Sequence, residues 1–280
     1  MSDGSQMRSG YTLVTTLGLM ILISGLVVGL NTLVSGSIRN SAASRANLSA
    51  DLALDSSLEL GQAIILGNIT LSATDKARVP FDGAPIACTL GAEFASILKI
   101  QDVAGLVDLR FSSDELLTVL LREFTPQDAT HSLLTRIREN ANSGRFLSAE
   151  DVLLTSGIQP DSAEWIGAYS TVHGRDHRLA RDVTPKELVA LMASAGQDNA
   201  GNFGASPSNA TFKLETFSKS QSGRDAYSSS LYSFDYSNGL AFTRLFEKRW
   251  LRRSSPGKDL SAMLASADTL GLRCSQLSLN

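Results

Sequence analysis

No charged residue stands between Arg8 and Arg39, and from Tyr11 to Val34 the chain is dominated by Leu, Val, Ile and Met. As a helix that segment is roughly 36 Å long, enough to cross the hydrocarbon core of a bilayer. An ordinary secretory signal has a shorter apolar region closed by a small-x-small site. Here the apolar run is longer and leads into further helical pattern. Ala43, Ala46, Ala50, Leu54 and Leu58 recur at spacings of three and four, with Arg45, Asp51, Asp55 and Glu59 among them. The pattern predicts one helix ending near Leu66, where Gly67 can stop it. Its first half buries against lipid or sister helices; its second half offers an apolar stripe to a globular head.

Beyond Asn68 the period shortens. Pro85–Leu90 and Phe94–Gln101 predict a hairpin around Gly91, with Val79-Pro80 and Pro85 keeping these strands short or at an edge. Val103–Leu109 follows as an extended segment. From Ser112 onward, four helix starts are legible. Ser112 stands three before Glu115, and Ser148 three before Asp151; Thr125-Pro126 is followed by Asp128, and Thr184-Pro185 by Glu187. Each has a hydroxyl able to cap a first turn and an acid within it. Helices are expected at 113–123, 126–140, 149–155, 160–168 and 185–193. Gly196–Ala210, rich in Gly, Asn and Ser, reads as a surface loop. Thr211–Ser218, Ala226–Tyr236 and Leu240–Trp250 read as an antiparallel meander, with Asn238-Gly239 a hairpin turn. In the tail, 254–280, Leu260–Ala265 suggests a short helix. The expected class is α+β: a long N-terminal helix and an antiparallel sheet head with an inserted, small all-helical domain.

Composition adds boundaries. The 280 residues are 43% apolar and carry a net charge of -3, so nothing general points to nucleic acid or anionic lipid. Arg136, Arg138 and Arg145 in the helical block are matched by Glu139, Glu150 and Asp151, and the turns lack the glycine-rich hairpin that offers N–H groups to phosphate. Lys248-Arg249-Trp250-Leu251-Arg252-Arg253 is the one dense basic run. It reads equally as a contact for an acidic surface or headgroups and as a solvated strand end.

No G-x-S-x-G elbow, P-loop or G-x-G-x-x-G occurs, and no enzyme activity is expected. His173 and His177, four apart with Asp176 between, would hold a metal only on a helix; the neighbouring Arg175, Arg178 and Arg181 favour a basic loop. His131 reads as a half-buried helix residue. The two cysteines, Cys88 and Cys274, lack metal-ligand spacing. Two readings stand side by side: two buried small residues, or a disulfide clasping the tail to the head in an oxidising compartment.

The N-terminus resembles a prepilin signal. A short polar leader ends in Arg8-Ser9-Gly10, followed by Tyr11-Thr12-Leu13-Val14-Thr15 and the apolar run. The resemblance is to type IV pilins and type II secretion pseudopilins. It implies cleavage by a prepilin peptidase between Gly10 and Tyr11 and N-methylation of Tyr11. Thr15 stands at the fifth mature position, where major pilins have glutamate. A carboxylate in an apolar bundle is costly unless paired, and a subunit with no neighbour above it lacks that partner. K-type minor pseudopilins resemble this chain in lacking the glutamate.

A second resemblance lies in the head. Ile100-Gln101-Asp102-Val103-Ala104-Gly105-Leu106-Val107-Asp108-Leu109, then Arg145-Phe146-Leu147-Ser148-Ala149-Glu150-Asp151-Val152-Leu153, then Asp182-Val183-Thr184-Pro185-Lys186-Glu187-Leu188-Val189-Ala190-Leu191 follow the motif order of the general secretion pathway protein K family. Val103 departs from that pattern where the family has glutamate, and Arg110-Phe111 where it has asparagine-threonine.

The implied organisation is a leader (1–10), the anchor helix (11–66), a first part of a pilin-like head (67–111), an inserted helical domain (112–195), and a meander with tail (196–280). The implied role is a minor pseudopilin at the tip of a pseudopilus of a type II secretion-like system, nucleating assembly and contributing to protein export. The implied location is the bacterial inner membrane, single-pass, with the head in the periplasm. Its implied partners are the prepilin peptidase, other minor pseudopilins, the major pseudopilin and secreted substrate proteins; nucleic acid is not among them. Some family members bind calcium, but no ligand set carries over, and no cofactor is assigned. The same residues also suit a minor type IV pilin in adhesion, motility or DNA uptake. A third reading is a single-span, membrane-anchored ligand-binding protein, which would keep residues 1–10.

Overall fold

The structure is a computed structural model that describes residues 4–70, 79–90, 94–122, 124, 127–174, 176–199, 201–208, 210–220, 224–235 and 241–253. The hairpin turns expected at Gly91 and Asn238-Gly239, the cap at Thr125-Pro126, and the tail helix at Leu260–Ala265 lie outside these residues.

The chain divides into two units, 1–49 and 50–280, and helix α1 (Gly4–Thr70) runs through both. α1 passes Gly67, so the expected stop there is corrected. The cause is a tertiary contact. Buried Asn68 donates from Nδ2 to the Val79 carbonyl (2.5 Å) and accepts the Val79 N–H at Oδ1 (2.9 Å). This side chain pairs both backbone groups of Val79, which outweighs the glycine's preference to end the helix.

In the second unit a five-stranded antiparallel sheet has the order β1 (Asp82–Leu90), β2 (Phe94–Asp102), β5 (Thr211–Ser220), β6 (Arg224–Asp235), β7 (Ala241–Arg253). Period-two alternation sorts the side chains of β5 to two faces. Phe212, Leu214, Thr216 and Ser218 go to one face, Lys213, Glu215 and Phe217 to the other. The first face receives the end of α1: Leu58, Ile64 and Ile65 share a core with Ile86, Leu98, Ile100, Phe212 and Leu214, while Ala50 and Leu54 pack on Ala226. Burial of Leu54, Leu58 and Ile65 stabilises this docking by about 1.5–3 kcal/mol each.

β2 and β5 are sheet neighbours although residues 103–210 separate them. That excursion carries α2 (Asp114–Leu121), α3 (Gln127–Asn142), α4 (Ala149–Thr155), α5 (Pro160–Ala168) and α6 (Lys186–Ser194) around a second apolar core, which includes Leu117, Leu120, Ile137, Val152, Leu153, Ile166 and Met192. The strands β3 (Val107–Asp108) and β4 (Ser170–Thr171) pair in parallel within it, so helices are not its only elements. Val103–Leu109, expected to be extended, opens instead on a 3-10 turn over Val103–Gly105 capped by Asp102.

The capping expectations divide. Ser148 holds α4 as anticipated: its hydroxyl accepts from Asp151 N–H (3.1 Å) and donates to the Asp151 carboxylate (2.7 Å). α2 is capped by Ser113, one residue later than expected, with Ser113 Oγ accepting from Leu116 N–H (3.3 Å). Ser112 instead donates its backbone N–H to the Asp108 carbonyl (3.0 Å). α6 begins after Pro185 without a side-chain cap, because the Thr184 hydroxyl donates back to the Ala180 carbonyl (2.8 Å).

Candidate functional site

In the first unit the candidate feature is the apolar helix itself. Every residue from Thr15 to Ala42 is exposed, including Leu17, Met20, Ile21, Leu22, Leu26, Val28, Leu33 and Ile38. A helix of this length and exposure, uncharged up to Arg39, is long and apolar enough to span a membrane. Gly10, Tyr11 and Thr15 all lie on α1, so the chain stays helical through the expected cleavage point.

This helix also bears a feature that the sequence reading passed over. Gly18, Gly25, Gly29 and Gly36 are spaced seven, four and seven apart. At about 100° per residue all four fall on one face, within roughly 40°. A Cβ at any of them would meet nothing within 4 Å. Met20, Val27 and Val34 lie on the opposite side. Aligned glycines lower the surface of a membrane helix and let another helix backbone approach closely. Their spacing alone, Gly25-x-x-x-Gly29 extended by sevens, was the available signal.

In the second unit a cavity of about 570 Å³ lies between the outer sheet face and α4, α5 and β4. Its charges are organised in pairs. Lys213 Nζ meets Glu215 at 3.0 Å, and Lys248 Nζ bonds both Glu150 carboxylate oxygens at 2.9 and 2.8 Å, joining β7 to α4. Tyr227 packs against Phe217 with ring centroids 4.5 Å apart and planes tilted by 53°. Burial, then the Glu215 charge, pushes its phenol up, so it remains protonated through the physiological range. The Lys248–Glu150 pair joins the helical block to the sheet, while Lys213–Glu215 and Tyr227–Phe217 lie within the sheet.

The expected site residues scatter. His173 sits outside any helix, its Nε2 2.9 Å from the Leu147 carbonyl oxygen. His177 Nδ1 meets Asp176 at 3.1 Å on the surface. Burial raises Asp176, but the Arg178 N–H and the charges of Arg178 and His177 outweigh it and hold the carboxyl low. Among the described residues no group of three metal-ligating side chains converges. His131 is exposed, not half-buried, because Leu133 and Leu134 turn the other face of α3 inward. Arg138 is structural: its guanidinium donates to the carbonyls of Leu109 (3.2 Å) and Ser112 and to Asp114 (3.2 Å). Cys88, buried on β1, is disulfide-bonded; Cys274 lies outside the described residues.

Asp108 is a buried carboxyl that no sequence pattern marked. Its Oδ1 accepts the N–H groups of Arg110 (2.6 Å) and Phe111 (3.2 Å). Its Oδ2 is buried without a hydrogen-bond partner among the described residues. A Cβ on Gly174 would come within 2.5 Å of that oxygen. Burial raises the carboxyl's pKa, against the lowering effects of the Arg110 and Phe111 N–H groups and the Arg110 charge.

Against known proteins, no family model matches the chain and no curated protein matches it.

Proposed function

We propose that this chain is a membrane-anchored assembly subunit, a minor pseudopilin of a type II secretion-like system placed at the tip of its fibre. The observation that carries the reading is the exposed, uncharged helix with one glycine-lined face. A helix that only anchors needs apolar residues on all sides. One that joins a bundle gains from a face where neighbours come close, since lipid tails supply no hydrophobic drive between helices. Packing of apolar helices drives assembly, with no bond chemistry. A neutral Thr15 fits a subunit that caps the bundle, because no carboxylate is left without a partner. The inserted helical block widens the head and obstructs addition of subunits above it.

The head lies in the periplasm, where an oxidising environment keeps Cys88 bonded, with Cys274 as its partner. The helical block acts as an inserted domain of that head. Secreted proteins and the other pseudopilins contact the head, and the prepilin peptidase acts between Gly10 and Tyr11.

The test is topological. Cells expressing the chain are converted to spheroplasts and treated with protease. Loss of the head from Arg45 onward, with a fragment containing 11–39 retained in the membrane pellet, supports the reading. A chain recovered whole in the soluble fraction contradicts it.

A further inference from the structure

The outer face of the sheet carries a row of polar side chains in register. Lys99 on β2 stands opposite Glu215 on β5, Glu215 opposite Ser229 on β6, and Ser229 opposite Lys248 on β7. Register partners share a face, and neighbouring strands lie about 4.8 Å apart, so the row runs roughly 14 Å across the sheet. All four residues line the cavity of about 570 Å³ described above. Beside the row, Phe217 and Tyr227 form an aromatic strip on the same floor, and α5 contributes Trp165.

The charges along this floor are already satisfied, which restricts the ligand. Lys213 meets Glu215 at 3.0 Å, Lys248 meets Glu150 at 2.8 Å, and Lys99 lies over the Phe217 ring, 5.9 Å from its centroid. The Tyr227 hydroxyl is hydrogen-bonded to Glu215 and Ser229. An anionic ligand would have to break an ion pair and face its carboxylate; a cationic one would face the displaced ammonium. Asp161 and Glu164, also on the lining, are exposed, so solvent screens them. The volume lies within the about 300–1,000 Å³ of small-molecule sites. An acyl chain would strip water from the ion pairs and return no hydrogen bonds.

A neutral, hydroxyl-rich molecule avoids these costs. An ammonium carries three donors and a carboxylate about four acceptor positions, more than a single pairing uses. Set side by side, they serve adjacent hydroxyl groups at once, one accepting and the other donating. The C–H face of a sugar ring suits the electron-rich faces of the aromatic strip. We propose that this cavity binds a neutral saccharide, with the Lys213–Glu215 and Lys248–Glu150 pairs holding its hydroxyls and the rings of Tyr227 and Trp165 packing against its C–H faces. This goes beyond the assembly reading and does not depend on processing at Gly10.

The test uses the full chain in micelles of a sugar-free detergent, titrated by calorimetry with trisaccharides. The neutral probes are the trimers of glucose, galactose, mannose and N-acetylglucosamine. The galacturonic acid trimer is the anionic control and the glucosamine trimer the cationic one. At least one neutral trimer should bind in the millimolar range or tighter, about tenfold more tightly than either charged trimer. Hydrogen exchange in that complex should slow in α5 and β5. Glu215→Gln should weaken binding about tenfold, because bonds to a charged acceptor are stronger than those to an amide. Glu247→Gln, off the cavity lining, should leave binding unchanged. Preference for a charged trimer would overturn the proposal, as would no binding of any neutral trimer or protection confined to elements away from the cavity. The exchange measurement on the unmodified chain decides the matter even if a variant fails to fold.

Discussion

Asp102 accepts a hydrogen bond from the Ser208 hydroxyl at 2.6 Å, joining the point where the chain leaves the sheet to the point where it returns. The same Oδ1 accepts the Ala104 N–H at 2.9 Å and so caps the first turn of the excursion. Ser208 in turn lies 3.3 Å from the Thr211 carbonyl at the head of β5. One buried carboxylate thus closes a loop of residues 103–210 at its neck. Asp102→Ala should destabilise the head by about 1–3 kcal/mol, because two donors lose their partner. Urea unfolding followed by tryptophan fluorescence checks this, and Asp102→Asn, which keeps the acceptor oxygen, should recover most of the loss.

At Gly61, α1 lies close against side chains of the sheet. A Cβ there would lie 2.5 Å from Leu214 Cδ2 and 3.2 Å from Leu98 Cδ1. Gly61→Leu should therefore overpack the joint and cost about 1–3 kcal/mol. The gain in helix propensity, about 1 kcal/mol at most, opposes only part of that. The thermal midpoint of the head should fall, and an unchanged midpoint would mean the helix docks less tightly than described.

The glycine face makes a directional prediction. The double variant Gly25→Leu, Gly29→Leu should still insert in membranes but associate about tenfold more weakly with neighbouring helices, because the added side chains keep the backbones apart. Disulfide yield between Thr32→Cys, in a Cys88→Ser, Cys274→Ser background, and a cysteine placed in the membrane helix of a neighbouring pseudopilin measures this. Val27→Leu, on the opposite side, should leave the yield unchanged.

Asp108 sets a pH dependence. Its folded pKa is raised above the ordinary 3.8, so the folded state holds this proton more tightly than the unfolded chain. Well below pH 3.8 the carboxyl is neutral in both states. As pH rises through the raised value, ionising a half-satisfied buried group costs stability. Asp108→Asn should therefore gain on the natural chain as pH rises from 3.8 and hold a constant advantage once the carboxyl is fully ionised. Urea midpoints of both proteins across that range give the difference directly. A difference that shrinks with rising pH would contradict the assignment.

Local signals carried much of the architecture. The apolar run, the five helical stretches and the strands of the meander were all legible from period and punctuation, and Ser148 capped α4 as its spacing with Asp151 implied. What the sequence hid was non-local. Asn68 extends α1 past Gly67 only because Val79 comes to meet it. The pairing of β2 with β5 depends on both ends of a long excursion converging, which no window of residues reveals. Ser113 in place of Ser112 is a one-residue contest that the Asp108 carbonyl settles by holding the Ser112 N–H. His131 looked half-buried because its neighbours are leucines, yet the turn of α3 carries it outward. The glycine face was within reach of spacing alone.

The most direct measurement of the central claim is the mass of the N-terminus, taken from chains recovered with and without a prepilin peptidase. An apolar helix built to join a fibre should emerge from peptidase-positive cells beginning at N-methylated Tyr11, and from peptidase-negative cells with residues 1–10 still attached. Chains that keep those residues in both would contradict the assembly reading and leave a plain single-span anchor.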